Sequence, residues 1–62
     1  MPVELKELIE RLRRERDSML TASRSLAKKF DEMGVPTFKR MASRAVERAE
    51  TIQKEIKKLE TD

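Results

Sequence analysis

A 4-3 spacing, apolar at every position but Arg16 and Ser23, runs along this chain twice, interrupted once, at Gly34-Val35-Pro36-Thr37. Before the break it selects Leu5, Ile9, Leu12, Arg16, Met19, Ser23, Leu26, Phe30 and Met33. After it come Phe38, Ala42, Ala45, Ala49, Ile52, Ile56 and Leu59. Apolar residues at that interval line one face of an α-helix; a half-buried strand needs alternation with period two, which neither segment has. The spacing predicts an all-α chain with a helix over 3–33, a loop over 34–37 and a helix over 38–60, a single domain across residues 1–62. Gly34 suits the left-handed conformation that closes a helix, Pro36 biases Val35 away from the helical region, and Thr37 is placed to cap the second helix. Pro2 fits a first turn. So short a connection returns the second helix antiparallel to the first.

Folding about that loop sets Met33 beside Phe38, Leu26 beside Ala45, Met19 beside Ile52 and Leu12 beside Leu59. Near the loop large residues meet small ones, Phe30 by Ala42 and Ser23 by Ala49, which lets the backbones approach closely. Leu8, Leu20, Ala22 and Ala27 widen the stripe on the first helix, and Met41 and Val46 widen it on the second. A stripe this broad touches more than one neighbour, as in a bundle.

Size makes the same demand. The chain has 62 residues and is 37% hydrophobic, 44% charged, and free of Cys and His. A domain this short is marginal without a disulfide, a structural metal or association. The first needs Cys, and an ordinary zinc site needs Cys or His. The expected architecture is therefore an antiparallel helical hairpin that dimerises into a four-helix bundle with coiled-coil-like packing. Leu5, Leu12, Met19, Leu26, Phe38, Ala45, Ile52 and Leu59 would carry the association.

Catalysis has little to work with. No His is present for acid–base chemistry, Ser18, Ser23, Ser25 and Ser43 have no evident base, and no Gly-rich phosphate loop exists. The E-x-x-E pairs Glu7/Glu10 and Glu47/Glu50 lie off the stripe and read as solvated surface, not as metal ligands. No enzyme, cofactor or metal site is expected. Within the stripe Arg16 falls opposite Glu55, an expected ion pair that would also help to fix register. Glu7 with Arg11, Glu10 with Arg14 and Glu50 with Lys54 stand at i,i+4 in the favoured order.

Charge is unevenly spread. Residues 24–48 carry seven bases against three acids, while the flanking thirds are close to neutral. The bases include Arg24, Lys28, Lys39, Arg40, Arg44 and Arg48, with Arg40, Arg44 and Arg48 at four-residue intervals. Asp31 and Glu32 are the local partners expected for the cations at the loop. The competing reading gives that end to an anion, a nucleic-acid phosphate or an acidic protein, bound in a salt-dependent way. Without Tyr or Trp there is little to stack on a single strand.

The layout of about sixty residues, a hairpin and a small–large seam resembles the Rop family of plasmid regulators. That resemblance implies a dimeric bundle that binds RNA on one face, and it transfers no individual residue. No apolar run is long enough to cross a bilayer, and the N-terminus lacks the pattern of a signal peptide. A cytoplasmic location without membrane contact is expected. The leading reading is a non-enzymatic self-associating module serving as an interaction or regulatory subunit; the alternative is a regulator contacting nucleic-acid phosphates through the basic loop end.

Overall fold

The computed structural model describes residues 2–61 as two helices, α1 (Val3–Met33) and α2 (Pro36–Thr61), packed along each other as a hairpin. The body is 47 Å long and 14 × 11 Å in cross-section. At about 1.5 Å per residue the 31 residues of α1 account for that length, so the molecule is one layer of two helices.

Pro2 precedes α1 in an extended conformation, and its carbonyl accepts from the Lys6 amide at 3.0 Å. Gly34 ends α1 with φ 71°, a left-handed conformation a Cβ would strain, and its amide donates to the Phe30 carbonyl at 2.7 Å. The turn behind it is shorter than the four residues expected. α2 begins at Pro36, whose fixed φ suits a first helical position and whose missing N–H would have had no partner there. Thr37 therefore lies inside the first turn and is not the cap. The amide of Phe38 donates instead to the Val35 carbonyl at 3.1 Å. Met33, expected to meet Phe38 in the seam, is 67% exposed at the end of α1.

The core lies in the half of the hairpin away from the loop. Ile9, Ile52 and Ile56 are buried there, with Leu5, Leu12, Met19 and Leu59 packed against them. Towards the loop the seam narrows to small side chains. Ser23 and Ala49 are buried, and the Ser23 hydroxyl donates back to the Leu20 carbonyl at 2.8 Å, so closing the helices there strands no polar atom.

Arg16 departs from expectation. Its guanidinium donates to the Gln53 side-chain oxygen across the seam and pairs with Asp17 at 3.0 Å, not with Glu55. Asp17 and Gln53 are the acceptors the rotamer reaches. The other ion pair among the described residues joins Arg13 to Glu60 at 2.8 Å. These two cross-helix contacts straddle the antiparallel pairing read from the stripe. The expected i,i+4 pairs of Glu7, Glu10 and Glu50 are not closed, because exposed side chains gain little from being held in one geometry.

One layer leaves much surface wet. The chain exposes 5124 Å², whereas a compact monomer of its mass exposes about 4,200 Å². The Cα radius of gyration is 14.4 Å, against about 11 Å for a compact domain of this length. Among the large apolar residues left exposed are Leu8, Met33, Met41 and Val46.

Candidate interaction surfaces

Two sides of the hairpin lie open, one on each flank of the seam, and they differ in chemistry. On one side a shallow groove runs through the loop half. Its floor is Ala27, Phe30, Ala42 and Val46, with Ser23 beneath. Leu20 and Ala49 continue it towards Arg16 and Gln53. Both signs of charge stand on its rim: Arg24 and Lys39 against Asp31, Glu47 and Glu50. Glu47 and Glu50, one of the E-x-x-E pairs, are exposed rim residues, Glu47 also accepting the Thr51 hydroxyl at its carbonyl.

On the other side a hollow at the far end from the loop is lined by Leu8, Leu12 and Leu59 beside Glu55 and Lys58. Nearer the loop, projecting each helix about the seam at its 3.6-residue period puts Lys29 of α1 and Arg44 and Arg48 of α2 on this side, with Met41 between the helices and Arg40 on the outer edge. Glu32, nine residues from the buried Ser23, projects from the back of α1.

The six basic residues expected to act together are thus divided. Arg24 and Lys39 belong to the groove, Arg44 and Arg48 to the opposite side with Arg40 at its outer edge, and Lys28 projects outward from the back of its helix. All six are exposed, and among the described residues none has a carboxylate within ion-pair distance, so the expected neutralisation by Asp31 and Glu32 does not occur.

The loop-end lysines have other company. Lys39 Nζ stands 5.8 Å over the Phe30 ring, and Lys29 Nζ stands 6.0 Å over the Phe38 ring. Each helix lends a lysine to the other's phenylalanine, within the reach of a cation–π attraction. The signal for this lies in the sequence: Lys29-Phe30 and Phe38-Lys39 are mirror images about Gly34. In an antiparallel hairpin, residues equidistant from the turn stand at equal height.

Of the eight residues assigned to association, Ile52 is buried within the hairpin. Leu5, Leu12, Met19, Leu26, Phe38, Ala45 and Leu59 are half-buried along the seam and keep part of their surface free. No helix among the described residues is long and apolar enough to cross a membrane. No family model, curated protein or solved structure matches the chain.

Proposed function

We propose that this chain is a self-associating helical-hairpin module, a non-enzymatic interaction or regulatory subunit whose first partner is a second copy of itself. The observation that carries this reading is surface area. The 5124 Å² exposed by one chain exceeds the compact-monomer value by about 900 Å², and a standard stable interface takes about 800 Å² from each partner. One contact with a second copy would bring the exposed surface to that of an ordinary small protein.

Charge selects the side. A twofold contact brings the same patch together from both copies, so it must be self-complementary. The groove satisfies this, with an apolar floor and both signs on its rim. The loop half of the other side would set Lys29, Arg44 and Arg48 against their own copies. The second copy accordingly sits on the Ala27–Val46 groove and completes a four-helix bundle.

Two substitutions of similar exposure test this, Val46 at 37% and Leu8 at 41%. Val46→Glu places a like charge on the groove floor of both copies and should convert the dimer to monomer in light scattering. Leu8→Glu, on the opposite side, should leave the mass unchanged. Equal behaviour of the two variants would exclude the groove as the contact.

A further inference from the structure

We infer that the side of the hairpin opposite the groove binds the phosphate backbone of duplex nucleic acid through Arg40, Arg44 and Arg48 of α2 and Lys29 of α1. This goes beyond self-association and does not depend on it.

The residues form a built row. Ala42, Ala45 and Ala49 hold the same stretch of α2 against α1, Ala49 buried and the other two half-buried, so the backbone under the arginines is fixed. Successive arginines are about 6 Å apart along the axis, a spacing of the order of that between neighbouring phosphates along a winding nucleic-acid strand. The row therefore matches successive phosphates of one strand. All four cations are exposed and have no carboxylate partner among the described residues, so binding would not first have to break an ion pair there. Three of them are arginines, whose planar guanidinium donates two parallel hydrogen bonds to a phosphate. Of the acids of the loop half, Asp31 and Glu50 stand on the groove side, while Glu47, seven residues beyond Arg40, stands on the outer rim beside the row without pairing with it.

The phenylalanines decide between duplex and single strand. Recognition of single strands rests on aromatic faces to which bases stack. Phe30 and Phe38 are the chain's aromatic residues. Each is half-buried in the seam, and each has a lysine standing over its ring. What remains is a ridge of cations that reads backbone and not bases.

The test is a salt titration of the full chain with a short random-sequence duplex of DNA and one of RNA, read by fluorescence anisotropy. Four phosphate contacts give a slope of log K against log salt of about −3.6, hence about a 150-fold loss of affinity between 50 and 200 mM salt. Arg40→Gln/Arg44→Gln/Arg48→Gln should lower the slope to about −0.9 and reduce affinity at 50 mM salt more than tenfold. Lys54→Gln/Lys57→Gln/Lys58→Gln removes the same charge at the far end of α2 and should leave the slope unchanged. Circular dichroism reports whether each variant is folded. Should the triple arginine variant unfold, Arg44→Gln alone should reduce the slope by about 0.9. The proposal is overturned by no binding at 50 mM salt, by equal effects of the two triple variants, by tighter binding of a single strand, or by equal affinity for polyglutamate. Mass measured alongside keeps the two readings apart: a monomer that binds contradicts only self-association, and a dimer that does not bind contradicts only this proposal.

Discussion

Truncating Ile56 to alanine probes the seam at its most buried point. The side chain is 1% exposed and packs with Ile9 and Ile52 on the terminal half of the hairpin. Alanine removes three carbons, about 2.4 kcal/mol of transfer free energy at about 0.8 kcal/mol each. A residual cavity adds to this, giving about 3 kcal/mol within the range seen for such core truncations. A chain of this length has a total stability of roughly 3–9 kcal/mol, so one substitution removes a third of it or more. At about 4–8 °C per kcal/mol, Tm should fall by about 12–24 °C. Met33→Ala is the matched control, because Met33 is 67% exposed and its loss should stay within about 0.5 kcal/mol. Thermal and urea melts followed by far-UV circular dichroism, all at one protein concentration, give the comparison; concentration must be held because association adds to apparent stability. If Ile56→Ala costs no more than Met33→Ala, the core has been placed in the wrong half of the hairpin.

Two further substitutions address the turn and the seam. Gly34→Ala should destabilise by about 1–2 kcal/mol through backbone strain at positive φ alone, since an added Cβ meets nothing within 4 Å; an unchanged urea midpoint would count against a left-handed turn. Arg16→Leu replaces a half-buried cation in the seam and should raise Tm while broadening the distribution of oligomers, because the polar contact with Gln53 helps set register. A single sharp mass in that variant would remove the register role.

The two helices were legible because each carries a strict 4-3 stripe and because Gly34 can end a helix in only a few ways. The misread part of the turn was Pro36. A proline between two stripes signals both a break and a first helical position, and only the backbone decides which. Met33 followed from the same error, since a shorter turn carries the last stripe residue out of the seam. Arg16 was correctly placed in the seam, but its partner was not: spacing gives height and face, whereas the choice among Asp17, Gln53 and Glu55 belongs to side-chain rotamers. The division of the basic residues between two flanks was not legible for a different reason. Position along the chain sets a residue's height on the hairpin, and by height alone Arg24 and Arg44 are neighbours. Only the angle around each helix shows that they stand on opposite flanks, Arg24 in the groove and Arg44 in the row. The crossed lysine–phenylalanine contacts needed both coordinates at once.

On the proposed self-association, one chain is half of the functional fold. Sedimentation equilibrium of the unmodified chain tests it most directly. Association predicts a mass of twice 7.3 kDa at micromolar concentration, falling towards 7.3 kDa only on dilution. A fully helical, cooperatively unfolding species of 7.3 kDa throughout that range would contradict it.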